Sequence, residues 1–167
     1  ITGGDSRFGA IGKGVGIELD SLYRNSKIAI SRNIIDGSDV GIWIHDSSMY
    51  NDDTHVSITN NTIKNTTTGL YIQHIYFRTE IPLWATSVST QGLIWNAATI
   101  SKNNFFNVTN AVRLLDVNES LVLEISDSYF GTTDLEAIGN LITDNTDDYT
   151  LGTVSVVNPV SSLIDIS

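Results

Sequence analysis

The stretch VSITNNTIKNTTTGLYI, residues 56–72, alternates apolar and polar residues, bends through a run of small polar ones, and then resumes the alternation. Period-two alternation marks a strand with one buried face, and breaks rich in Asn and Thr mark bends between strands. The same pattern recurs in KIAISRNIIDGSDVGIWI (27–44), AATISKNNFFNVTNAVRL (97–114) and LVLEISDSYFGTT (121–133). Ile30, Ile58, Ile100 and Ile125 fall in one column, and Ile35, Ile63, Phe105 and Phe130 fall in another, five residues later in each copy. Asn33, Asn61 and Asn103 form a third column, with Ser128 in its last place.

Intervals of 28, 42 and 25 residues separate the isoleucines, so a basic coil of about 25 residues carries inserted loops. Repeats that touch only their neighbours tolerate such insertions. A second strand follows each bend: GIELD (16–20), GIWIH (41–45), GLYIQ (69–73) and AVRLL (111–115). Ile17, Ile42, Leu70 and Val112, with Leu19, Ile44, Ile72 and Leu114, are expected to face inward, and Glu18, Trp43, Tyr71 and Arg113 outward. Short alternating strands with little helical periodicity point to stacked parallel strands rather than βαβ units. In the third column an Asn at a bend tolerates left-handed φ, and its amide can bond to the equivalent amide one coil away.

The repeat SITNNTI followed by GLYI resembles the coils of right-handed parallel β-helix proteins with carbohydrate-binding or sugar-hydrolase-type repeats, over about residues 14–131. The resemblance implies an all-β right-handed parallel β-helix, a scaffold shared by lyases, hydrolases, epimerases, tailspikes, adhesins and filament proteins. SYFGTTDLEAIGNLITDNTDDYTLGTVSVVNP (128–159) is similar to the closing segment of bacterial and archaeal surface β-helices, with Tyr129 and Phe130 in place of the usual aromatic pair. Within a C-terminal cap segment at 132–158, Thr133 and Glu136 have capping-box spacing, and Leu135, Ile138, Leu141 and Ile142 make one apolar helical face. A short helix over 133–143 is therefore expected to cover the coil end, where open strand edges would recruit other chains. The Gly-rich opening (1–14) reads as an incomplete first coil or a subunit contact, and PVSSLIDIS (159–167) as an extra strand on this chain or a neighbour.

At 167 residues, with 41% hydrophobic and 17% charged residues, the chain fits one folded domain. Its 19 acidic and 9 basic residues, net charge -10, argue against nucleic acid or an anionic membrane as partner, and favour cations or neutral sugars. Without cysteine there is neither a disulfide framework nor a thiolate metal site. No apolar run approaches the roughly 18 residues of a membrane span. Opening at Ile1 rather than Met suggests a processed product or an excised domain.

Function is expected on the outward columns. Beside Glu18, Trp43, Tyr71 and Arg113 run Asp20, His45, Gln73 and Leu115, followed by Ser21, Asp46, His74 and Asp116. Asp46 and Asp116, with one coil between them, fall near the spacing a glycosidase pair needs if the columns are in register, while His45, His74 and Arg113 have the chemistry of a lyase or epimerase. Trp43, Tyr71, Trp84 and Trp95 are candidate sugar platforms. The insertion at 75–95 holds Ile75, Phe77, Ile81, Leu83 and Leu93, which need cover from their own coil or from another subunit. Acidic clusters at 51–53 and 144–148 have oxygens suited to calcium but lack its loop spacing, so no cofactor is expected. Asn60, Asn65, Asn107 and Asn118 begin Asn-x-Ser/Thr acceptors, with Asn65, Asn107 and Asn118 in expected bends and Asn60 beside the ladder.

These features lead to a non-enzymatic extracellular structural or adhesive module of a cell-surface, filament or virion-appendage protein. Its partners are copies of itself, other surface subunits, or a polysaccharide or glycan. The alternative is a polysaccharide-active enzyme using His45, Asp46, His74 and Asp116.

Overall fold

The computed structural model describes residues 14–20, 22, 27–49, 55–77, 93–94, 98–117 and 121–167. Their strands are β1 (Val15–Asp20), β2 (Lys27–Ser31), β3 (Ile34–Asp36), β4 (Val40–Met49), β5 (His55–Thr59), β6 (Thr62–Lys64) and β7 (Thr68–Phe77). Then come β8 (Leu93–Ile94), β9 (Ala98–Ser101), β10 (Asn104–Phe106), β11 (Asn110–Val117), β12 (Leu121–Ser126), β13 (Ile142–Thr143) and β14 (Thr153–Val157). One short helix, α1 (Leu135–Gly139), precedes β13.

The fold is all-β, and its pairings are parallel. Three sheets form, in the orders β1-β4-β7-β11-β13, β3-β6-β10 and β2-β5-β9-β12-β14, with β8 alongside β12. The repeats account for this order, because equivalent strands of neighbouring copies pair with one another, although the copy at 121–133 reaches the β3-β6-β10 sheet only through the single bridge between Asn104 and Tyr129. Ile30 pairs with Ile58, Ile58 with Ile100 and Ile100 with Ile125. Ile35, Ile63 and Phe105 are likewise in register, and the Phe105 and Phe130 rings stack at 5.2 Å. Ile42, Leu70 and Val112, with Ile44, Ile72 and Leu114, are buried in one continuous core, against which Ile17 and Leu19 of the first strand are partly packed.

The third column is a buried amide ladder. Asn33 N–H and Nδ2 donate to Asn61 Oδ1, each at 3.0 Å; Asn61 N–H and Nδ2 donate to Asn103 Oδ1, each at 3.0 Å; and Asn103 N–H donates to Ser128 Oγ at 3.1 Å. The left-handed φ sits one residue earlier than expected, at Arg32, Asn60, Lys102 and Asp127. A left-handed residue reverses the pleat, so the side chain after it points into the core instead of out.

A fifth copy, absent from the sequence reading, follows. Val156 pairs with Ile125, Asn158 has φ 50°, and Val160 N–H donates to Ser128 O just as Tyr129 N–H donates to Asn103 O. Its ladder position holds Pro159.

The expected helix over 133–143 is confined to Leu135–Gly139. Its N-cap is Asp134, whose carboxylate accepts from Glu136 N–H at 3.0 Å, rather than Thr133. A helix of five residues offers one inward position, so Ile138 is buried while Leu135 is 61% exposed. Ile142 is buried from β13, which pairs with β11. The expected insertion at 75–95 begins later than Ile75, which lies in β7 and is 2% exposed, and Leu93 belongs to β8. Ile81 and Leu83 lie outside the described residues. PVSSLIDIS contains no strand; instead Ile164 donates its N–H to Asn104 Oδ1 at 2.8 Å and accepts from Asn104 Nδ2 at 2.9 Å.

Candidate functional site

The outward face of the sheet containing β1, β4, β7 and β11 gathers most of the candidates. Register sets Glu18 beside Trp43, Trp43 beside Tyr71 and Tyr71 beside Arg113. In the next column Asp20, His45, Gln73 and Leu115 align. Trp43 and Tyr71 are stacked at 5.7 Å with planes 9° apart, and the Arg113 guanidinium lies 5.4 Å from the centre of the Tyr71 ring. Trp43 also meets the His45 ring at 4.3 Å and packs with Val15 and Val40, leaving it 8% exposed. The two expected sugar platforms on this face are thus packed on one another, with Trp43 inside the packing. Burial pushes the Tyr71 phenol above its ordinary range, opposed by Arg113 and assisted by Asp116. Trp84 and Trp95 lie outside the described residues.

His45 is 7% exposed, with Nε2 2.9 Å from Glu18 Oε1 and Nδ1 3.8 Å from Asp20 Oδ1. His74 Nε2 is 2.8 Å from Asp116 Oδ2, and both residues have left-handed φ, 50° and 51°. That backbone shifts the alternation by one. Gln73 and His74 both leave the core, and Ile75 returns to it; Asp116 and Val117 repeat the step in the next strand. The Asp46 side chain lies outside the described residues, so the separation of the expected Asp46 and Asp116 pair is undefined, and Asp116 is bonded to His74. Each candidate histidine therefore has a carboxylate partner on an adjacent strand. Such pairs can hold an imidazole in one tautomer, and equally can tie neighbouring strands together.

A second polar column was missed in the sequence. Asn65 Nδ2 donates to Asp36 Oδ1 at 2.7 Å, and Asn107 Nδ2 donates to Asn65 Oδ1 at 2.7 Å, across three rungs of the exposed corner after β3, β6 and β10. Asn65 and Asn107 have φ 53° and 51°. The Asn65 amide holds the Asp36 carboxyl below its ordinary value, with the Lys64 ammonium 3.3 Å away assisting. The recurrence of Asp36, Asn65 and Asn107 six or seven residues beyond Ile30, Ile58 and Ile100 was its available signal. Of the expected acceptors, Asn65 and Asn107 are exposed, Asn60 is half-buried, and Asn118 lies outside the described residues.

Among the described residues, no group of three or more His, Asp or Glu is placed to hold a metal ion. The acidic cluster at 144–148 is engaged in its own turn. Asp144 is 3% exposed and accepts from Thr146 N–H at 2.9 Å, Thr146 Oγ1 at 2.8 Å and Val154 N–H at 2.6 Å, while the 51–53 cluster lies outside the described residues. In comparisons with known proteins, no family model, curated protein or solved structure matches the chain.

Proposed function

We propose that the chain is a right-handed parallel β-helix module that acts as a rigid, non-enzymatic extracellular element, displaying its outward columns for contact with other subunits or with a glycan. The observation that carries this reading is the state of the outward face of the long sheet. Trp43, Tyr71 and Arg113 stack along the rungs, and His45 is drawn under 10% exposure against Glu18. Side chains committed to their neighbours stiffen a scaffold, whereas a hydrolytic or eliminative site needs acid and base groups open toward a substrate. The net charge of -10 favours a neutral glycan or a patchwise protein contact over a polyanionic polysaccharide. The test is sedimentation of the secreted protein over a wide concentration range, alongside a glycan array and a polysaccharide-depolymerisation assay. Self-association or glycan capture without depolymerisation is expected; depolymerisation would sink the reading.

The second reading, a polysaccharide-active enzyme, rests on His74 and Asp116. Left-handed non-glycine backbone at matched positions, bearing a bonded imidazole and carboxylate, is the kind of local strain that clusters at reactive sites. The burial of Ile75 and Val117 explains the same backbone without chemistry. Loss of any depolymerisation on His74→Ala, with folding intact, would favour the enzyme.

A further inference from the structure

Three of the four sequence acceptors for N-linked sugar are described, and the fold does not treat them alike. Asn60 is half-buried beside the amide ladder; its middle residue Asn61 is fully buried, and the hydroxyl of its third residue, Thr62, accepts from Asn104 Nδ2 at 3.0 Å. Asn65 is exposed, but both ends of its amide are engaged, Nδ2 to Asp36 and Oδ1 from Asn107. Its Nδ2 therefore emerges between two occupied rungs, each only about 4.8 Å from its own as neighbouring strands are, which is about the width of a sugar ring. Asn107 is different on its far side. On the next rung the left-handed residue of that corner is Gly131 (φ 85°), one position short of strict register with Asn107, where even an added Cβ would meet nothing within 4 Å. Thr109, its third residue, is exposed. A glycosylated amide keeps one N–H, enough to retain the bond to Asn65 Oδ1.

We propose that Asn107 is the modification site of this corner, carrying an N-linked oligosaccharide directed over Gly131, while Asn65 and Asn60 stay unmodified as parts of the two ladders. This rests on the extracellular reading above, because the sugar donor is met on a secretory route. In the transfer, Asn107 Nδ2 forms a bond to the anomeric carbon of a lipid-(pyro)phosphate-linked oligosaccharide. The bond from that carbon to the phosphate oxygen breaks, the lipid phosphate leaves with the electron pair, and an Nδ2 proton passes to a base of the transferase. Transfer to the unfolded chain does not remove the selection, since a sugar wedged between occupied rungs opposes folding and secretion of the modified chain.

The experiment is secretory expression of the full chain in a glycosylating eukaryotic host, in an Asn118→Gln background, with intact mass and glycopeptide mapping. One glycan at Asn107, absent from Asn60 and Asn65 and lost in Asn107→Gln, is the expected result. An empty Asn107, with or without sugar on Asn60 or Asn65, overturns the proposal through its geometry. The same mapping on protein from its native source separates the two levels. If Asn107 is empty there but occupied in the secretory host, it is the extracellular reading that fails, and the native modification with it.

Discussion

Asn61 shows how much one side chain can carry in a stack of strands. It is fully buried; its Oδ1 receives the backbone N–H and amide of Asn33, and its Nδ2 reaches Ile30 O and Asn103 Oδ1. Asn61→Ala leaves several of these groups without partners in a dry interior, at about 1–3 kcal/mol for each. Asn33→Ala, at the first rung, removes donors whose absence is better tolerated, and its own N–H keeps no less of a bond to Asn61. Chemical denaturation should show Asn61→Ala losing roughly 3 kcal/mol or more and Asn33→Ala about 1 kcal/mol. Equal losses would mean that the ladder is not a directional chain of dependent bonds. The column itself was legible because Asn, Asn, Asn and Ser share one offset from the isoleucines. The backbone that serves it was not, since residues as unlike as Arg32, Asn60, Lys102 and Asp127 all adopt the left-handed turn there.

At the level of the strand, the small residue opening each GIELD-like segment has a steric cause. A Cβ on Gly41 would lie 2.5 Å from Ile63 Cγ2 and 2.6 Å from Gly69 O, so the long sheet meets the isoleucine column only because nothing projects there. Gly41→Ala forces either the strand or Ile63 to move, a cost of about 1–3 kcal/mol typical of overpacking. Gly139→Ala is the control: nothing lies within 4 Å of its added Cβ, and a helical position gains up to about 1 kcal/mol. Thermal unfolding should separate the two in sign, and a Gly41→Ala protein as stable as the parent would refute the close approach. The inward and outward alternation of these strands was readable from their period of two up to Gln73 and Leu115. Beyond that point the left-handed turns at His74 and Asp116 add a residue to the count, and periodicity alone does not announce them. That is why the histidine–carboxylate pair of the candidate site had to be located in space, although its members were named from their columns. The helix failed in the opposite way: its apolar spacing is real, but Ile142 uses it from a strand rather than from a further helical turn.

Across the whole molecule the ladder has a direction. Each rung sends its backbone N–H to a side-chain oxygen of the following rung, from Asn33 to Ser128, and the fifth rung meets that series with Pro159. Proline has neither a side-chain acceptor for Ser128 N–H nor an N–H to pass onward, so the ladder ends there in both senses. The echo of VSITNN in VSVVNP was hidden by that substitution, and the residue that hid the fifth copy is the one that closes it. The tail beyond it returns to Asn104 through Ile164 and does not continue the stack. Edges of parallel sheets recruit other chains unless something blocks them, and a proline at the last rung is such a block. Pro159→Asn restores an oxygen for Ser128 and leaves a new N–H aimed along the stack, toward where a second copy could present Asn33 Oδ1. The internal gain of about 0.5–1.5 kcal/mol from one hydrogen bond is largely offset by the roughly 0.4–1 kcal/mol of unfolded-chain restriction lost with proline. The melting temperature should therefore move little, while sedimentation equilibrium should show self-association rising above that of the parent at matched concentration. A variant that associates no more than the parent would place the closure of this end in the returning tail rather than in Pro159.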